Sequence, residues 1–127
     1  NGGGIVLTES SNNIIKDNNG SDNEYGIVTD SASDNNTISE NNVCHNEFFG
    51  IVLMGSNNND IYRNSLVDNK VVNAMDNGTN SWDDGAAGNY YSDFNCTDSD
   101  GDGICDSVCR IFGGESVDRY PLASPPT

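Results

Sequence analysis

The densest concentration of residues able to do chemistry lies near the C-terminus. Asp98, Asp100, Asp102, Gly103 and Asp106 follow the order of the first nine positions of a calcium-binding loop. Alternate carboxylates at this spacing converge on one hard cation, the glycine makes the sharp turn, and Ile104 offers its backbone carbonyl. Four carboxylates in nine residues repel one another strongly unless a cation sits among them. The expectation is therefore a structural Ca2+ that folds this segment, against the plainer alternative of a solvated acidic turn. The twelfth position of such a loop should be acidic, but here it is Cys109.

Cys109 is one of four cysteines, with Cys44, Cys96 and Cys105. No C-x-x-C motif is present, and the Cys44–Cys96 spacing fits no standard zinc module, even with His45 as a further ligand. Disulfides are the default in an acidic chain with many glycosylation sequons. Four cysteines allow three pairings. The expected closure is Cys105 with Cys109, or Cys96 with Cys109, which leaves one or two cysteines for bonds between subunits. Cys44 follows an inward Val43, so it should point outward. The sequons place candidate N-glycans on Asn19, Asn35, Asn77 and Asn95.

Catalytic constellations do not stand out. His45 is the single histidine, and neither G-x-S-x-G nor H-E-x-x-H occurs. A lyase base would have to come from Lys16, Arg63, Lys70, Arg110 or Arg119. Arg110 and Arg119 are expected to spend their charge on Asp118 or Glu115. A copper centre wants several His or Met ligands, and the chain has one His and two Met. The expectation is a protein that is not an enzyme.

What must position these groups is an internal repeat. Gly4-Ile5-Val6-Leu7 returns as Gly26-Ile27-Val28-Thr29 and as Gly50-Ile51-Val52-Leu53. Ile15, Ile38 and Ile61 are 23 residues apart, each followed three residues later by Asn18, Asn41 or Asn64. Such a period signals a solenoid. With only four Leu, a leucine-rich repeat is excluded, and 21 Asn with 14 Gly disfavour helical repeats. Three short β segments per period, divided by Asn/Gly/Ser/Asp turns, predict an all-β parallel β-helix of about three to four coils. Ile5/Leu7, Ile27/Thr29 and Ile51/Leu53 should stack on one face. Ile15, Ile38 and Ile61 should stack on a second, and Gly20, Val43 and Leu66 on a third. The recurring asparagines belong at corners, where an amide satisfies turn backbone and bonds the asparagine above it.

Residues 1–76 read as coils, with Asn73-Ala74-Met75-Asp76 a degenerate fourth turn. Residues 77–127 read as an irregular cap in which Trp82, Tyr90, Tyr91 and Phe94 cover the last coil. The chain reads as mature or trimmed, opening mid-coil at Asn1-Gly2-Gly3-Gly4, an uncovered edge able to accept another chain. Tyr25 precedes Gly26 where Phe48 and Phe49 precede Gly50, which predicts an aromatic ladder, expected to be buried. The alternative is that Tyr25, Phe48, Phe49, Tyr62 or Trp82 is exposed and stacks on sugar rings.

Charge narrows the partners. Twenty acidic against five basic residues give a net charge of −15. Nucleic acid and anionic membrane surfaces need clustered Lys and Arg, so neither is expected. No apolar run is long enough to insert into a bilayer.

The repeat G-I-x-L-x-x-S-x-x-N-x-I-x-x-N resembles that of right-handed parallel β-helix proteins that are secreted or on cell surfaces. This NosD-like, carbohydrate-binding type of repeat is shared by polysaccharide-processing enzymes and by the periplasmic protein that assists copper-site maturation of nitrous-oxide reductase. The tail, Gly88-Asn89-Tyr90-Tyr91-Ser92-Asp93-Phe94, then Asp98 to Ile104, then Asp118-Arg119-Tyr120-Pro121-Leu122, is similar to the terminal module of surface β-helix proteins from methanogenic archaea. Its Asp-rich loop resembles the calcium repeats of thrombospondin-type and dockerin modules. The resemblance implies a right-handed β-helix in an extracellular setting. The expected function is a structural subunit of a sheath, surface layer or fibre, built by stacking and disulfide cross-linking. A carbohydrate-binding or polysaccharide-processing module is the alternative, with glycans as ligands.

Overall fold

The computed structural model describes residues 2–126, so the expectation about the opening Asn1 lies outside the described residues. Twelve short strands follow one another: β1 (Gly3–Thr8), β2 (Ile14–Lys16), β3 (Tyr25–Asp30), β4 (Thr37–Ser39), β5 (Asn42–Cys44), β6 (Phe49–Leu53), β7 (Asp60–Tyr62), β8 (Ser65–Val67), β9 (Val72–Asp76), β10 (Tyr90–Tyr91), β11 (Cys109–Arg110) and β12 (Val117–Asp118). No described residue is helical. Asn and Gly are poor helix formers, and the β-branched triplets between them supply strands only a few residues long.

The strands form three parallel sheets, β1-β3-β6-β9, β2-β4-β7 and β5-β8-β10, with β11 and β12 antiparallel beside them. This is the β-solenoid the period predicts, with about four turns. Ile5 pairs with Ile27, Ile27 with Ile51 and Ile51 with Ala74. The neighbouring inward column runs Leu7, Thr29, Leu53 and Asp76. Ile15, Ile38 and Ile61 stack on the second sheet, and the Asp60–Ser81 bridge puts Trp82 at the next position of that column. Val43, Leu66 and Tyr91 stack on the third. Apart from the polar Thr29 and Asp76, these columns bury apolar surface one rung upon the next, each about 4.8 Å apart, and their apolar residues make up most of the core.

Parallel pairing carries the fourth turn past residue 76, through Ser81 to β10, so its inward positions belong to Trp82 and Tyr91. Both are buried within the stack, and Phe94 packs against its edge. The recurring glycine before each Ile-Val pair has a packing cause. A Cβ on Gly26 would collide with the Gly50 carbonyl, and one on Gly50 with that of Asn73.

Three asparagine ladders run along the corners: Asn13-Asn36-Asn59-Asn80, Asn18-Asn41-Asn64-Asn89 and Asn23-Asn46-Asn69-Asn73. In the second, the backbone N–H of Asn18 donates to Asn41 Oδ1 at 2.9 Å, Asn41 to Asn64 at 2.9 Å and Asn64 to Asn89 at 3.0 Å. The side-chain amides reach backward, Asn64 Nδ2 to the Ile38 carbonyl at 2.9 Å and Asn41 Nδ2 to that of Ile15 at 3.0 Å. In the first three turns each ladder asparagine follows a residue in the left-handed region, as with Asp17, Glu40 and Arg63 before the second ladder. That conformation costs a non-glycine residue roughly 1–2 kcal/mol, a strain the ladder bonds offset.

Candidate functional site

The cap is held where the ladders end. Each rung's N–H needs an acceptor on the rung above, and the last rungs find theirs mainly on aspartates. Asn89 donates from its backbone to Asp118 Oδ2 at 2.8 Å, and Asn73 to Asp93 Oδ2 at 3.0 Å. Asn80 gives its amide to Asp76 Oδ1 at 2.8 Å and its N–H to Ser116 Oγ at 3.4 Å. A carboxylate only accepts, so it closes a chain of donors without needing a further partner. Asp118 is fully buried and also receives the Tyr91 hydroxyl at 2.8 Å and the Tyr120 N–H at 2.9 Å. Gly88 leaves room for this carboxylate, since any Cβ there would collide with it. Burial pushes Asp118 up to about 6 despite those donors, with the Asp83 charge adding to the rise. Burial and the Asp118 charge in turn drive the Tyr91 hydroxyl well above its ordinary range. Sequence reasoning missed these aspartates. The available signal was an Asp standing where the asparagine series stops.

Arg119 binds neither Asp118 nor Glu115. Its guanidinium grips Asp83, Nη2 to Oδ1 at 2.7 Å and Nε to Oδ2 at 3.1 Å. Asp83 is buried, and burial alone would raise its pKa; the Arg119 bonds overcome this and hold it low. No ion pair of Arg110 occurs among the described residues.

The Asp-rich loop is exposed and brings together only part of the expected set. Carboxylate oxygens of Asp98, Asp100 and Asp106 lie within 4.8 Å of one another, and Asp102 stands outside this group. Asp102 instead accepts the N–H of Ile104 at 2.9 Å, and Ile104 pairs with Leu122. Asp98 receives Gly103 N–H at 2.9 Å and Gly101 N–H at 3.0 Å, and the Gly103 bond leads in holding its pKa low. Asp100 accepts the Asp102 N–H, which lowers it, yet the neighbouring Asp98 carboxylate leaves it raised overall.

A disulfide between Cys96 and Cys105 clasps this loop. This corrects the expected pairings with Cys109. Cys109 lies in β11, buried in the same apolar cluster as Tyr91 and Ile111, against which Phe94 packs. Burial, and then the Asp118 and Asp93 charges, push its thiol up to about 12. Cys44 is free and half-exposed, its Sγ 3.1 Å from Ser21 Oγ.

The remaining residues singled out from the sequence are dispersed. Asn19, Asn35, Asn77 and Asn95 are all exposed. Trp82 is buried and cannot meet a sugar; its Nε1 donates to Asp76 Oδ2 at 2.9 Å. The aromatic ladder is not buried as expected. Tyr25 and Phe49 are half-buried on the outer face of the first sheet and Phe48 is 39% exposed, with Tyr25 5.7 Å from each ring. His45 lies on a corner among Asp22, Glu24, Glu47 and Lys70.

Residues 1–96, the coil stack to its last turn, match the family model described as periplasmic copper-binding protein (NosD). The chain belongs to the NosD family. No curated protein and no solved structure matches it. The NosD match ends at Cys96, so the Asp-rich loop, β11 and β12 lie beyond the matched span. No helix of the described residues is long and apolar enough to cross a membrane.

Proposed function

We propose that this NosD-family chain is a non-catalytic structural module of a periplasmic or extracellular assembly, such as a sheath, surface layer or fibre. One observation carries the reading: the polar side chains are spent on structure. The buried asparagines, Asp76, Asp83 and Asp118 bond rungs to one another or to the cap. The cap covers the fourth turn, so subunits would meet through other surfaces, with Cys44 the free thiol placed nearest to solvent. The exposed sequon asparagines suit glycans projecting from the corners, and the tail's likeness to archaeal surface proteins fits the same setting. Electron microscopy of native material with and without reductant tests this. Ordered tubes, sheets or filaments that loosen on reduction, and fail to form with Cys44→Ser, support it. Single particles in both conditions overturn it.

We further propose that Asp98, Asp100 and Asp106 hold Ca2+ as a structural ion of the cap. Their oxygens are close enough to share one cation, hard carboxylate donors suit calcium, and the Cys96–Cys105 clasp keeps the ends of the loop together. Calcium should raise the melting temperature, chelation should reverse it, and Asp98→Asn should remove the response. A second reading, glycan binding, rests on the exposed Phe48 beside Tyr25. Binding on a glycan array that Phe48→Ala abolishes would favour it.

A further inference from the structure

We infer that this chain holds no copper site, although its family is described by copper binding. Copper(I) is held by several thiolate, thioether or imidazole donors gathered on one ion, and copper(II) by imidazoles in a planar set. The full sequence offers one His, two Met and four Cys, and two of those cysteines are joined in the Cys96–Cys105 disulfide. Donors to one ion bonded at ~2.0–2.3 Å must lie within roughly 4–5 Å of one another.

The candidates left are scattered by the fold. His45 stands at the corner before β6, and Met54 directly follows that strand. The five residues of β6 between them span roughly 16 Å at about 3.3 Å each. Met54 and Met75 do share a place, a shallow groove of about 260 Å³ on the outer face of the first sheet. Its other walls are Tyr25, Val28, Phe49, Val52 and Phe112, with no imidazole or thiol. Two neutral thioethers leave the coordination of copper(I) incomplete. Cys109 is buried within the cap, its thiol pushed up to about 12. Cys44 directly precedes His45, but its Sγ lies 3.1 Å from Ser21 Oγ, the two belong to no group of three donors close enough for one ion among the described residues, and Cys44 is absent from the methionine groove. Among the described residues, the group of three His, Cys, Asp or Glu donors close enough for one ion is Asp98, Asp100 and Asp106, all oxygen. Oxygen donors of this kind select hard cations. The match to the family therefore reports the coil and its asparagine ladders, not a metal.

The test is an anaerobic titration of the full chain, its Cys96–Cys105 disulfide intact, with copper(I) against a chromophoric copper(I) chelator, and with copper(II) followed by electron paramagnetic resonance. The expected result is that the chelator keeps all the copper(I) and that copper(II) is removed by a single desalting step. Retention of one equivalent of either ion by the folded chain overturns the inference. His45→Ala, Cys44→Ser and the pair Met54→Leu with Met75→Leu would then identify the donors, and circular dichroism would establish that each variant remains folded.

Discussion

Asn64 and Asp118 occupy the same corner column and do opposite jobs. Asn64 both gives and receives: its Oδ1 takes the Asn41 N–H and amide, and its Nδ2 feeds the Ile38 carbonyl. Asn64→Ala strands several buried groups, each costing about 1–3 kcal/mol, so the denaturant midpoint should fall sharply. Asp118, when ionised, only receives. Its carboxyl titrates near 6 in the folded state, against about 4 for an ordinary one. Between those values the folded chain keeps a proton that the unfolded chain has released. This contribution to stability is therefore complete below pH 4 and is lost as pH rises through 6, on the order of 2–3 kcal/mol in all. Asp83, held low by Arg119, acts in the other direction and below pH 4. Melting curves from pH 4 to 6 should show the Asp118 slope. Asp118→Asn should flatten it while lowering stability throughout, because an amide cannot accept from all the surrounding donors.

At the scale of the element, a strand here is defined less by its own residues than by the strands a coil away. Gly50 shows this. Its missing Cβ matters because Asn73 O, on the next rung, fills the space. Gly50→Ala should cost about 1–3 kcal/mol from overpacking, read as a drop in thermal midpoint with the parallel sheet retained. The same dependence explains what the sequence disclosed. Ile15, Ile38 and Ile61 repeat at one interval, so the columns and corners were legible from periodicity alone. From the third to the fourth turn the interval changes, since Asn59 is answered by Asn80 and Asn64 by Asn89, 21 and 25 residues on. A rule of constant spacing cannot follow that change. Trp82 and Tyr91 therefore read as a covering layer when they are the next inward positions. The cap was illegible for a different reason. Asp118 meets Asn89, and Cys96 chooses Cys105 over Cys109, through contacts that follow no period. The Asp-rich loop was legible in composition but only partly in geometry, because Asp102 turns to its own backbone neighbour.

The whole molecule is a stack in which each turn touches mainly the turns beside it, closed at one end by a clasped, acidic cap. Cys96→Ser with Cys105→Ser opens a loop of nine residues' separation. The loss of chain constraint is about 2–3 kcal/mol in the entropic account. Limited proteolysis should then cut the loop between these positions while the coil stack survives. The asparagine ladders have a last consequence, for how such a chain changes over generations. A single-residue insertion beside a ladder asparagine in one of the first three turns would take that asparagine out of line with the rungs above and below it, breaking its bonds to both. Duplication of a whole 23-residue turn would leave every bond with a partner of the same kind. Length should therefore vary among descendants in whole turns. Irregular insertions should gather in the fourth turn, where the segment from Asp83 to Gly88 already departs from the period.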